Sequence, residues 1–240
     1  MDFMALPDAG ARAGPLRLDN VTVPGCLVGS KESLVGMSLI LADGKLADPD
    51  TAPAQAVDMG RAMVFPCFVD AHTHLDKAQM WGRSENPDGT FDGAINAVMG
   101  DKVGRWDRDD LIPRMSFALR AAYAHGTRAI RTHLDYFGDR ADAERSWPVF
   151  AELRDAWAGK ITLQAAALTG CDLAEDPVKL AACADLVAEY DGILGAVTYP
   201  MPGIRGLIDR YFAAAEERGL ALDFHVDETS DPGAATLREI

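Results

Sequence analysis

A chain of 240 residues with 48% hydrophobic content can bury a substantial core, most simply as one α/β domain with or without a small appendage. Its formal net charge is -14, with 23 Lys plus Arg against 37 Asp plus Glu, the opposite of what a nucleic-acid groove or an anionic membrane surface requires. Cys26, Cys67, Cys171 and Cys183 are far apart and form no C-x-x-C pair, which excludes a disulfide framework and fits a reducing compartment.

The chain opens on Met1-Asp2-Phe3-Met4-Ala5-Leu6-Pro7-Asp8, with neither a basic n-region nor a sustained apolar core, so no signal peptide is expected. No run reaches the length of a membrane span, and the cytoplasm is the expected location. Residues 1–62 read as short strands and turns. Residues 16–23 alternate partly, and residues 37–41 lead into the turn Ala42-Asp43-Gly44-Lys45. They predict a small β segment, part of a β-sandwich, rather than a core of their own.

From residue 63 onward an alternation sets in. Strand-like runs at 64–69, 129–134, 161–168, 193–199 and 220–226 enclose helical candidates at 108–125, 141–158, 176–190 and 204–218. Leu111, Met115, Ala118, Leu119 and Ala122 recur at helical spacing. Gly126, Gly159, Gly192 and Gly219 each fall just past a helix, where a left-handed cap favours glycine. Strand, helix, glycine and strand in repetition mark parallel β/α units. A doubly wound sheet and a (β/α) barrel both produce that pattern. His74, His133, His225 and Gln164 fall at or near the carboxyl ends of several predicted strands, and no G-x-G-x-x-G follows any strand. Both facts favour the barrel.

The most informative run is Asp70-Ala71-His72-Thr73-His74-Leu75-Asp76-Lys77, behind the apolar stretch Val64-Phe65-Pro66-Cys67-Phe68-Val69. Strand side chains alternate faces, so His72 and His74 point to the same side, one pleat repeat apart, and can share a divalent ion. His225 in Leu222-Asp223-Phe224-His225-Val226-Asp227-Glu228 would complete a three-histidine set, with Glu228 at the mouth beside it. Metal binding lowers the pKa of water to about 7, and an adjacent carboxylate can carry its proton.

These segments resemble the amidohydrolase superfamily, and within it the bacterial cytosine deaminase group. The resemblance rests on residues 65–77, on Arg131-Thr132-His133-Leu134-Asp135, on Leu163-Gln164, and on Phe224-His225-Val226-Asp227-Glu228. It implies a TIM-type metal-dependent hydrolase barrel over residues 63–240 and a mononuclear centre of iron or zinc. Its ligands would be His72, His74 and His225, with Glu228 as the catalytic proton shuttle. It also implies that Gln164 and His133 bind the substrate, a pyrimidine-like base losing an exocyclic amine as ammonia. A triazine or other cyclic amide is the alternative substrate. The predicted fourth strand lacks a lysine, which argues against a carbamate-bridged metal pair. Five of the eight β/α units of a barrel are present, and the family's later histidine and aspartate have no counterpart here. The expectation is the N-terminal part of a protein of ~400 residues, inactive if taken alone, with an apolar edge that favours a homo-oligomer over a monomer. The unrelated zinc deaminase fold needs H-x-E with P-C-x-x-C, and neither occurs.

Overall fold

A computed structural model describes residues 14–240 apart from positions 54, 87 and 139, so the segment read for a signal peptide lies outside the described residues. The chain divides between Cys67 and Phe68 into two compact units.

The first unit is a four-stranded sheet of β1 (Leu16–Pro24), β2 (Leu34–Ala42), β3 (Lys45–Leu46) and β4 (Gln55–Asp58) in the order β3-β2-β1-β4. β1 pairs antiparallel with β2 and parallel with β4. A bulge interrupts the first pairing between Leu18 and Val21, where Asn20 adopts a left-handed backbone with φ of 56°. The apolar run at 64–69 is not a single strand, as the sequence suggested. Met63 bridges Thr22, and Val64 N donates to Thr22 O at 2.8 Å, so the start of the run belongs to this sheet.

The second unit begins with β5 (Phe68–Thr73) and continues through α1 (Phe91–Arg105), α2 (Arg108–Ala124), β6 (Thr127–Asp135), α3 (Arg140–Ala143), α4 (Trp147–Ala156) and β7 (Thr162–Leu168). It closes with α5 (Pro177–Glu189), β8 (Leu194–Thr198), α6 (Ile204–Arg218) and β9 (Leu222–Val226). β5, β6 and β7 form one parallel sheet, and β8 and β9 form another. Parallel bridges Ala166 to Ile193 and Gly170 to Val197 join the two, so each strand neighbours the next in sequence.

The strands have two chemically different faces. Ile130, Thr132 and Leu134, then Leu163, Ala165 and Ala167, then Leu194, Ala196 and Thr198 are all buried on the side that α2, α4, α5 and α6 cover. The alternate positions Arg131, His133 and Asp135 and their partners Gln164, Ala166 and Leu168 occupy the other side. β5 was expected to be buried, but Phe68 and Val69 are 55% and 70% exposed. It is an edge strand, and among the described residues nothing pairs with its outer side.

Local chemistry explains the helix ends. Asp107 caps α2 by accepting from Asp110 N, and Asp176 caps α5 by accepting from Val178 N and Lys179 N. The helix expected over 141–158 breaks into α3 and α4. Pro148 in the first turn of α4 has no N–H to give to the preceding turn, so the helix restarts there. Gly126, Gly159 and Gly219 have positive φ as expected. Gly192 does not: Asp191 takes the left-handed turn at φ 53°, and a Cβ on Gly192 would lie 2.8 Å from the Trp147 ring. α1 was not foreseen. Gly93, Gly100 and Gly104 weaken its helix propensity.

Arg83 ties the segment before α1 to the helices. It donates to Asp101 Oδ2 of α1 at 2.6 Å and to Asp110 Oδ2 of α2 at 2.9 Å, while Trp106 Nε1 and Arg114 bind the same two carboxylates. Hydrogen bonds from Arg83, then Arg114, hold the Asp110 carboxyl at about 2 against the opposing effect of burial. A lowered carboxyl pKa stabilises above the unfolded value and is lost on acidification. Asp110→Asn should therefore destabilise by about 2 kcal/mol at pH 6, and the gap to wild type should close as pH falls from about 4 toward 2. Denaturant midpoints across that range measure it. In β8, a Cβ on Gly195 would stand 2.1 Å from Ala167 O and 3.1 Å from Asp223 O, both backbone atoms. Gly195→Ala should lower stability by about 1–3 kcal/mol, and Gly100→Ala, facing open space in α1, should not.

Candidate metal centre

Four of the chain's five histidines meet at the carboxyl end of the second unit's strands. His72 lies inside β5 and His74 one residue past it, starting the 3-10 turn Leu75–Lys77. His133 is third from the end of β6, and His225 is fourth of five in β9. The His72 ring centroid is 4.3 Å from that of His133, 4.5 Å from His225 and 5.3 Å from His74. The backbone after His74 is pinned by Leu75 N to Thr132 Oγ1 at 3.0 Å and by Arg114 Nη1 to Asp76 O and Ala78 O at 2.7 and 2.8 Å.

His72, His74 and His225 each offer a ring nitrogen, and these atoms lie within 4.8 Å of one another. His74 Nδ1 and His225 Nε2 are buried without a hydrogen-bond partner, an arrangement disfavoured unless another ligand satisfies them. The donor set therefore fits one divalent cation. Burial, reinforced by the Lys77 ammonium, lowers the His74 pKa to about 4, and burial likewise lowers that of His225. Both effects keep the imidazoles neutral, the form that binds metal.

His133 is fully buried, with Nε2 3.3 Å from Asp223 Oδ1. Asp223 Oδ2 accepts from Arg131 Nη1 at 2.7 Å, and Arg131 Nε and Nη2 both donate to Gln164 Oε1. The hydrogen bond from His133, then that from Arg131, lowers the Asp223 carboxyl to about 2. His133, Asp223 and His225 form a second group with ligand atoms within 4.8 Å.

Gln164 differs from its expected position. It is the third of seven residues in β7, in register with Arg131 rather than at the strand end. It is absent from the walls of the cavity that carries His74, His225 and Glu228, because the pleat places it one side-chain layer below the level of His133. Glu228 does line that cavity, a space of about 320 Å³. The turn before it is unusual. Asp227 takes a left-handed backbone with φ of 56°, and its carboxylate accepts from Thr236 N and Oγ1 at 2.8 and 2.7 Å.

Three features were not foreseen from sequence. The opposite cavity wall is the apolar stripe Phe91, Ala94, Ile95, Val98 and Met99 of α1. Its helical spacing was the available signal. Asp223 shares a strand face with His225 at a separation of two, the alternation already used for His72 and His74. Lys77 also lines the cavity, joined at 2.6 Å to Asp135, whose place near the pocket the resemblance did imply. At pH 6, His225→Ala should lower retained divalent metal at least tenfold. Wild type should keep its metal at that pH, because protons compete for His74 only near pH 4. Metal analysis after dialysis at stepped pH measures both.

No protein-family model matches the chain. It is 43% identical over 248 residues to a pterin deaminase of Rhizobium rhizogenes, covering 99% of this chain and 55% of that protein. It thus spans about half the length of this curated relative. The N-isopropylammelide isopropylaminohydrolase structure from Burkholderia multivorans matches with a TM-score of 0.69 at 25% identity, over 95% of this chain and 57% of that one. The 5-methylcytosine deaminase structure from Klebsiella pneumoniae shares the fold, with a TM-score of 0.74 at 22% identity over 93% and 54% of the two chains. The strand-borne histidines and these likenesses together assign the chain to the amidohydrolase superfamily.

Proposed function

We propose that this chain carries the metal-binding part of a (β/α)-barrel hydrolase that removes an exocyclic amine, as ammonia, from an aminated nitrogen heterocycle. The observation that carries the proposal is the convergence of the His72, His74 and His225 ring nitrogens, two of them buried without a partner. The five parallel β/α units of the second unit would be part of the barrel wall, whose chemistry gathers at the carboxyl ends of the strands. The relative at 43% identity favours a pterin, a fused ring bearing the amino-oxo pyrimidine edge that also makes cytosine a cyclic amidine. A reducing cytoplasm suits the four free cysteines.

His72, His74 and His225 would hold one iron or zinc ion, which when bound lowers the pKa of water and so supplies a nucleophile at neutral pH. Glu228, which lines the cavity, would serve as the proton carrier. It would deliver the proton first to the ring nitrogen beside the amine-bearing carbon, then to the departing amine. His133 would contact the substrate through Nδ1, which is buried without a partner, while Asp223 holds its other nitrogen. Gln164, whose amide oxygen is taken by Arg131, would act by holding Arg131 and through it Asp223. The 25% identical Burkholderia structure favours a second reading, removal of a substituted amine from a triazine ring.

Full-length protein supplied with zinc or iron should release ammonia from pterin, with cytosine and N-isopropylammelide as comparison substrates. Glu228→Gln should lose about 10²- to 10⁴-fold in turnover while retaining its metal. Stoichiometric metal with no amine released from any of the three rings would refute the proposal.

A further inference from the structure

Among the described residues, Lys77 is the one cavity-lining cation that the chemistry above does not use. Its backbone ends the 3-10 turn that Arg114 and Thr132 fix behind His74. Its ammonium donates to Asp135 Oδ1 at 2.6 Å and lies 3.4 Å from Asp76 Oδ1. An ammonium has three N–H groups, so two are engaged and one is left for the cavity. Burial opposes the charge, but the Asp76 and Asp135 carboxylates outweigh it and hold the Lys77 pKa above the ordinary lysine value.

Asp135 is 2% exposed and shares the inner face of β6 with His133. It is held from a second direction by Lys102 of α1, whose Nζ is 3.6 Å from Asp135 Oδ2 and 2.5 Å from Asp142 Oδ2. Lys102 also lies 4.5 Å from the Phe137 ring centre and is 1% exposed. One buried carboxylate therefore fixes both the Lys77 ammonium and the helix that forms the apolar wall. Lys77 and Asp135 both line the cavity, so the ammonium is held at its wall.

A flat ring laid on Phe91, Ile95 and Val98, with its amine-bearing carbon toward the histidines, presents another edge to Lys77. In an amino-oxo heterocycle that edge carries a carbonyl oxygen, an acceptor matched to a buried ammonium. We infer that Lys77 is a specificity residue that donates a hydrogen bond to the carbonyl oxygen of an amino-oxo heterocycle, and that Asp135 is its positioning residue. The inference rests on the deaminase reading of the same cavity.

The test compares pterin with 2-aminopteridine, which lacks the carbonyl, in the full-length protein. Ring binding to metal-free protein is read by fluorescence, and steady-state kinetics are read on the metal-loaded form. Lys77→Met should weaken pterin binding and raise its KM by roughly 10- to 100-fold with kcat nearly unchanged, and leave 2-aminopteridine unaffected. Asp135→Asn should move the same parameters in the same direction by less. If Lys77→Met does not fold, Lys77→Arg keeps the charge but moves the donors, and should give a smaller loss confined to pterin. Equal effects on the two rings, or none on pterin binding, would overturn the inference. Failure of wild type to turn over either ring would count against the deaminase reading instead, while the binding comparison would still decide the role of Lys77.

Discussion

A parallel strand shows two faces, and along β6, β7 and β9 those faces carry opposite chemistry. Ile130, Thr132 and Leu134 pack beneath helices, which forces Arg131, His133 and Asp135 to the other side. The same parity places Asp223 and His225 together on β9, whereas on β5 a register shift between Asp70 and Thr73 interrupts it. Burial of the helix-facing residues fixes the register, because a slip by one residue would expose Leu163 and bury Gln164. The metal-binding geometry therefore follows from apolar packing on the far side of the strands.

The inner face then has to carry charge away from bulk water. It does so by giving Asp223 and Asp135 two partners each. Asp223 takes His133 on one oxygen and Arg131 on the other, and Asp135 stands between Lys77 and Lys102. Isolated charges would be expensive here, and removing one partner from such a set leaves another buried and uncompensated. The same links span elements distant in sequence, from the turn after β5 to α1 and from β6 to β9. They hold the histidine rings and the α1 wall in one arrangement before any ligand arrives, which reduces the ordering needed on binding.

Much of the fold was legible because its signals are local. α6 runs over the expected residues, and α2 and α5 start within a residue of the expected positions. The His-x-His spacing and the histidine on the fifth predicted strand led to rings that do converge. Other elements were misread because a different local effect governed them. Pro148 split one helix, three glycines hid another, and the start of the 64–69 run bonds to Thr22 instead of beginning a core strand. Gln164 was placed near a strand end although the expected run already reached residue 168, where β7 does end.

The amino-acid sequence by itself determined the periodicities, the caps and which residues share a strand face, since each depends on neighbours a few positions away. It also held the motifs that carry the superfamily resemblance. Tertiary structure alone decided that Asp223 links His133 to Arg131 and that Lys77 and Lys102 converge on Asp135. These contacts join residues up to 92 positions apart. They depend on how parallel strands are stacked beside one another, and that stacking is set by the summed burial of many apolar side chains rather than by any single motif.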